Sequence, residues 1–317
     1  MVDDSQLEQS KAIHKRTGTT FYFATRLLPH RVRRATYVLY AFFRVADEVV
    51  DGDVDLSPAE QRERLEEIRE QALGREQGDD PVLSAFAEFR EEVGIDPDEV
   101  DVFVDAMLTD IEKDRYESYD ELEAYMRGSA AAVGEMMTAV MEPEEYQQAR
   151  GPARSLGEAF QLTNFLRDVG EDIDDRGRIY LPLSSMAEHG VTEEQIRRHE
   201  VDENFRSLME AELRRAEGLY REGVTGIKLL PADCQFAVLL AAVLYADHHR
   251  LIRERDYDVL TETPELSTLR KSYLVVKTRA YWALNKDPEA VFAKVSAVPS
   301  ATDRRHDPGH SEPQPVQ

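Results

Sequence analysis

Gln161, Asn164, Asp168 and Asp172 recur at intervals of three and four, with Phe160, Leu162, Phe165, Leu166 and Val169 flanking them. This is the spacing of a helix, on which i, i+4 and i+8 share a face, and it makes a polar stripe about three turns long. The stripe is embedded in apolar surface. A solvated face would mix Lys, Glu and Arg. This one offers neutral amides and aspartates, hard oxygen donors suited to Mg2+. A site therefore outweighs a plain solvated face here.

A second acidic segment, Asp47-Glu48-Val49-Val50-Asp51, is weak evidence alone. With 63 acids in 317 residues, an acid-x-x-x-acid pattern recurs on the order of ten times by chance. Its context adds weight. Residues 35–46 are apolar nearly all round, as in a buried helix, and carboxylates ending such a helix are costly unless paired or metal-bound. Asp47 and Asp51 share a face, and Arg44 lies three residues earlier. The alternative is a solvated helix end running into the acidic Asp51-Gly52-Asp53 loop, and on this motif alone the two readings stand even. Together the two stripes make chemical sense. Facing helices can hold two diphosphates through bridging metals, Mg2+ being bound through one or two carboxylates plus substrate phosphates. Arginines complete the clamp through forked hydrogen bonds, and a helix bundle provides an apolar tunnel for hydrocarbon tails.

Helical periodicity dominates the rest, with no alternating strand of useful length. The caps Ser57-Pro58-Ala59-Glu60, Asp80-Pro81 and Asp96-Pro97 mark helix starts, and Gly74, Gly94 and Gly128 mark ends or junctions. Helices are predicted near 30–51, 58–73, 81–93, 97–114, 119–141, 145–173, 203–224, 233–254 and 267–284, with a polar loop at 174–183. Residues 1–297 read as one all-α domain, and 298–317, rich in Pro, Ser, Asp and His, as a disordered tail. The net charge of −24 argues against nucleic acid as a partner. Only 8 of the 39 bases are Lys, a balance that suits a very salty cytoplasm, where screening shortens to ~3 Å at ~1 M salt; the alternative is an ordinary acidic protein. Cys234, the single cysteine, reads as a buried small hydrophobe in a reducing compartment. Residues 1–10 are acidic and polar, and the longest apolar run, 236–246, falls well short of a membrane span of ~20 residues. A cytoplasmic protein, at most resting on a membrane, is expected. His248 and His249 read as a polar helix edge, since adjacent residues diverge by ~100°.

The motifs together resemble the squalene/phytoene synthase family, from about Lys15 to Ala283. Residues 17–29, Thr-Gly-Thr-Thr-Phe-Tyr-Phe-Ala-Thr-Arg-Leu-Leu-Pro, look like its N-terminal flap. Residues 47–51 and 164–172 match its two aspartate-rich motifs. Asp110 and Asp114-Arg115-Tyr116 lead into the central segment, Tyr-Met-Arg-Gly-Ser-Ala-Ala-Ala-Val-Gly at 125–134, and Arg-Ile-Tyr-Leu-Pro at 178–182 matches the stretch after the second motif. The resemblance implies an all-α isoprenoid-synthase bundle around a central cavity. It further implies condensation of two geranylgeranyl diphosphates head to head, through prephytoene diphosphate to phytoene. Mg2+, or Mn2+ in its place, would be required and NADPH would not. By position, Asp47, Asp51, Asp168 and Asp172 would coordinate metal. Gln161 and Asn164 would support metal or diphosphate. Arg44, Arg167, Arg178 and Tyr245 would bind diphosphate, Tyr125 would face the reacting carbons, and Thr20 would sit near the first substrate. The chain departs from the family at Gly18, often a hydroxyl residue, and in the central segment, which often reads Tyr-Cys-x-x-Val-Ala-Gly, so that Arg127 stands where the family varies. Arg270, Lys271 and Lys277 are open between a diphosphate and a surface role. Squalene or dehydrosqualene formation from farnesyl diphosphate remains an alternative, as does a non-catalytic binding protein. Peripheral membrane contact is expected for release of so apolar a product.

Overall fold

Cap chemistry sets the helix starts. The Ser57 hydroxyl accepts from the Glu60 backbone N–H, and the Glu60 carboxylate accepts from the Ser57 N–H at 2.8 Å. Asp80, Asp96 and Asp287 each cap a helix whose first residue is proline, where the missing N–H costs nothing. The computed structural model describes residues 25–52 and 56–299. These fold as α1 (His30–Asp51), α2 (Pro58–Ala72), α3 (Pro81–Val93), α4 (Pro97–Asp110), α5 (Tyr119–Met126), a π-helical segment (Arg127–Ala131), α6 (Ala132–Met141), α7 (Tyr146–Arg167), α8 (Val169–Arg176), α9 (Leu183–His189), α10 (Glu193–Arg197), α11 (Glu203–Thr225), a 3-10 turn (Ile227–Leu229), α12 (Ala232–Glu254), α13 (Thr268–Leu284) and α14 (Pro288–Val295). Among the described residues the only β pairing is one isolated bridge, Arg115 to Ile179. It ties the approach to the central segment to the stretch after the second acidic motif.

The all-α expectation holds, and the long helices lie close to where periodicity puts them. Three differences matter. The helix expected over 97–114 stops at Asp110. The one over 119–141 contains the π-helical segment, whose Gly128 lies so close to the Val102 carbonyl that a Cβ would collide with it. The one over 145–173 is interrupted at Asp168 (φ −104°, ψ 16°). The short helices α9, α10 and α14 were not expected; at five to eight residues they offer too few turns for periodicity to register.

Helix α7 runs through the bundle, with α6 and α11 packed along it. One apolar cluster joins α1–α7 to the start of α12, and a second joins the middle of α12 to α13 and α14. Val298, the first residue assigned to the tail, is buried in the second cluster, while residues 300–317 lie outside the described residues. Two carboxylates are buried beside the π-helical segment. Glu99 accepts both guanidinium nitrogens of Arg127 at 2.8 Å and Arg150 at 3.2 Å, and Glu135 is held by Arg150 and Arg154. Arg127 thus has a structural partner in Glu99. The two histidines do not form a polar edge: both are buried. His249 Nε2 lies 3.0 Å from the Thr163 hydroxyl, and His248 Nδ1 lies 3.0 Å from the Tyr245 carbonyl. Cys234 is buried as expected.

Candidate active site

The end of α1 brings Arg44 and Asp47 to the same chamber that the second acidic motif faces. The chamber, of about 380 Å³, is completed by Asp110 at the end of α4, Tyr125 and Ser129, Gln161, Asn164 and Phe165 of α7, Asp168, Asp172 and Arg176, and Arg178 and Tyr180 of the following loop. It adjoins an apolar chamber of similar size between α1, α6, α7, the end of α11 and α12. Tyr40, Phe43, Ser129, Val133, Gln161 and Asn164 line both. A polar end opening onto an apolar interior is what an amphiphile with an anionic head requires.

The interruption at Asp168 has a local cause. The Gly170 N–H, which would serve the helix ladder, donates instead to the Val259 carbonyl at 3.2 Å, and a Cβ at Gly170 would collide with the Leu260 backbone. Ladder bonds on either side survive, from Asp168 N–H to the Asn164 carbonyl at 2.9 Å and from Asp172 N–H to the Asp168 carbonyl at 2.8 Å. The stripe therefore persists through a break that re-aims its last turn.

Arg44 pairs with Asp47 and reaches Glu48 at 3.5 Å. Arg167 grips Asp168 with two nitrogens, at 2.6 and 2.5 Å. Asp172 pairs with Arg176 at 3.6 Å, and Arg178 also lies near enough to favour its charged form. Burial and the neighbouring Asp168 push its carboxyl up to about 7. Such a site gains from a cation, and aspartates with adjacent amides fit Mg2+. Among the described residues no three acidic, His or Cys side chains converge into a ready-made metal cage. Mg2+ does not need one when substrate phosphates supply the remaining oxygens.

Aromatic rings line the wall beside the carboxylates. Phe165 and Tyr180 stack at 3.8 Å, and Tyr125 lies 6.1 Å from Tyr180. The Tyr125 hydroxyl donates to Asp110 at 2.8 Å, and burial with that carboxylate holds its pKa well above the ordinary value. Arg178 donates to the Asp110 carbonyl at 2.8 Å.

Of the site residues expected from sequence, Arg44, Asp47, Tyr125, Gln161, Asn164, Asp168, Asp172 and Arg178 share this chamber. Arg167 reaches it through Asp168. Tyr245 lines the apolar chamber, stacked on Phe160 at 4.5 Å. Asp51 ends α1, but its side chain and all of Thr20 lie outside the described residues. Arg270 is committed elsewhere: it holds the buried Asp247 at 2.9 and 2.6 Å, and Lys277 donates to the Val295 carbonyl. Ser129, Arg176 and Tyr180 line the chamber without having been singled out, as does Asp110, named from sequence only as the lead into the central segment. Asp110 and Tyr180 lay inside matching segments, but nothing in their spacing marks them.

The squalene/phytoene synthase family model matches residues 14–270. Phytoene synthase of Arthrospira platensis is 33% identical over 279 residues, covering 83% of this chain and 89% of that protein. The phytoene synthase of Rhodobacter capsulatus is 32% identical, covering 88% of this chain and 82% of that protein. The solved structure of a dehydrosqualene synthase in complex with ligand superimposes with a TM-score of 0.80 at 28% identity, covering 89% of this chain and 98% of that one. These matches, over a chamber that brings Asp47 together with Asn164, Asp168 and Asp172, show that the chain belongs to the squalene/phytoene synthase family.

Proposed function

We propose that this chain is a phytoene synthase that condenses two geranylgeranyl diphosphates head to head. The observation that carries this is the meeting of Asp47, from the first acidic motif, with Asn164, Asp168 and Asp172, from the second, in one polar chamber that opens onto an apolar one. In the proposed reaction the C–O bond of one substrate breaks, the electron pair leaving with diphosphate. The carbocation is trapped by the double bond of the second substrate, and loss of a proton closes a cyclopropylcarbinyl diphosphate. This intermediate ionises in turn, rearranges and loses a proton to give phytoene. Atoms and electrons balance without a reductant.

Asp47, Asp51, Asp168 and Asp172, with Asn164 and Gln161, would hold Mg2+, which when bound neutralises charge on the departing diphosphate oxygens. Arg44, Arg176 and Arg178, which line the chamber, would donate to those oxygens. The rings of Tyr125, Phe165 and Tyr180 border the chamber, where π density would stabilise a cationic carbon, and the apolar chamber would hold the tails and exclude water. The acid excess and scarcity of Lys support a working environment of high salt.

The dehydrosqualene synthase likeness supports a second reading, in which the same chemistry runs on farnesyl diphosphate. Incubation of the purified chain with Mg2+ in high salt, with either diphosphate and with or without NADPH, separates the two. The expected product is phytoene from the 20-carbon substrate, indifferent to NADPH. Product from the 15-carbon substrate alone would overturn the assignment.

A further inference from the structure

Helix α13 lies beyond the family match except for its first three residues, and it has two apolar faces where a surface helix has one. Leu274, Thr278 and Trp282 are buried against the bundle. On the opposite side Leu269 (84% exposed), Tyr273 (51%), Val276 (68%) and Leu284 (87%) stand in water. Their spacing of four, three and eight residues places them within ~80° of one another on the helix. Apart from Leu27 and Tyr281, the latter on this same helix, they are the exposed large hydrophobic residues among those described.

The charge around this stripe is inverted relative to the chain. Every charged residue of α13 is basic (Arg270, Lys271, Lys277 and Arg279), and Lys286 follows immediately, in a protein of net charge −24. An exposed apolar stripe flanked by bases is the pattern of a helix lying in the interface of an anionic bilayer. The position is also apt. Arg279 stacks on Phe236 of α12, and the next two residues, Ala237 and Val238, line the apolar chamber. Other occupants fit less well. A two-fold pairing of this face would set bases against bases. Docking on the acidic surface of another copy would be head-to-tail, giving a ring or an open filament rather than a two-fold dimer. Residues 300–317 hold no Leu, Ile, Phe, Tyr, Trp or Met to cover the stripe.

We propose that the outer face of α13 docks this protein on an anionic lipid surface. The surface is argued from α13 alone; only its use, passing an uncharged hydrocarbon into lipid, rests on the proposed condensation.

The test is flotation of the full chain with phosphatidylcholine vesicles, with and without phosphatidylglycerol. It is run on the wild type, on the combined Leu269→Ser, Val276→Ser and Leu284→Ser variant, and on Lys277→Gln, which borders the stripe, with Lys286→Gln. The wild type is expected to float with the anionic vesicles, and still to do so at ~1 M salt, where screening leaves the apolar contact. The serine variant is expected to bind at least about tenfold less, since each apolar side chain is worth roughly a factor of ten. The glutamine variant should lose the preference for phosphatidylglycerol. Equal flotation of the serine variant, no flotation of the wild type, or a wild-type dimer that the serine changes render monomeric would each overturn the proposal. Condensation assayed in detergent should survive the serine changes. If the wild type shows lipid binding as expected but no condensation in detergent, the proposed function fails and the docking surface stands.

Discussion

Glu99 and Glu135 are nearly inaccessible carboxylates, and arginines surround both. Removing one partner of a buried pair costs ~3–5 kcal/mol when the remaining charge is left alone. Arg127→Met leaves Glu99 with Arg150 at 3.2 Å, so a loss of about 2–3 kcal/mol is expected in denaturant unfolding; an unchanged midpoint would show that Arg127 contributes little. His248 works in the opposite sense. Burial, with Arg167 nearby, lowers its pKa to about 4, below the ~6.5 of an unfolded chain. Its contribution to stability is complete above pH 6.5 and is lost as pH falls from there toward 4, by about 3 kcal/mol in total. Replacing it with Gln should flatten stability against pH in that window, and parallel curves for the two proteins would contradict the assignment. Neither feature was legible in the sequence. An arginine and two adjacent histidines look like surface until the packing of α4, α6, α7 and α12 is known.

The two helix interruptions carry much of the site. Ser129 lies in the π-helical segment and touches both chambers, and Asp168 sits at the break between α7 and α8. π-type interruptions often mark functional positions. Periodicity alone treats residues 145–173 as continuous, because the apolar and polar spacing runs on across Asp168. The break arises from a tertiary hydrogen bond to Val259, about 90 residues downstream and beyond the reach of local spacing. Gly170→Ala places a methyl group against the Leu260 backbone and should push α8 away, moving Asp172 relative to Asp168. Misplacement by ~1 Å can cost about 100-fold in rate. The expected result is a fall in kcat of that order with a far smaller change in Tm. A wild-type kcat would show that the break does not position the motif.

Across the whole molecule, what the sequence made readable was what repeats or is capped: the long helices, their Pro-headed starts and the paired acidic motifs. The convergence of Asp110, Arg176 and Tyr180 on the chamber brings together segments distant in sequence, tied by the bridge between Arg115 and Ile179, and could not be read from spacing. Nor could the place of Tyr245 in the apolar wall. The charge of −24 predicts a salt response. Self-repulsion is screened as the Debye length contracts toward ~3 Å at ~1 M, so Tm should rise steadily with added KCl, and a flat or falling Tm would argue for an ordinary acidic protein. The central claim is that Asp47 and Asp168, from two different helices, serve one metal-dependent condensation. Its most direct measurement is the release of diphosphate alongside 40-carbon hydrocarbon from geranylgeranyl diphosphate, with and without Mg2+, for the wild type, Asp47→Asn and Asp168→Asn. The account predicts two diphosphates per hydrocarbon in the wild type, none without the metal, and a loss of about 100-fold or more in both products for either variant. Conversion at the wild-type rate by either variant would contradict it.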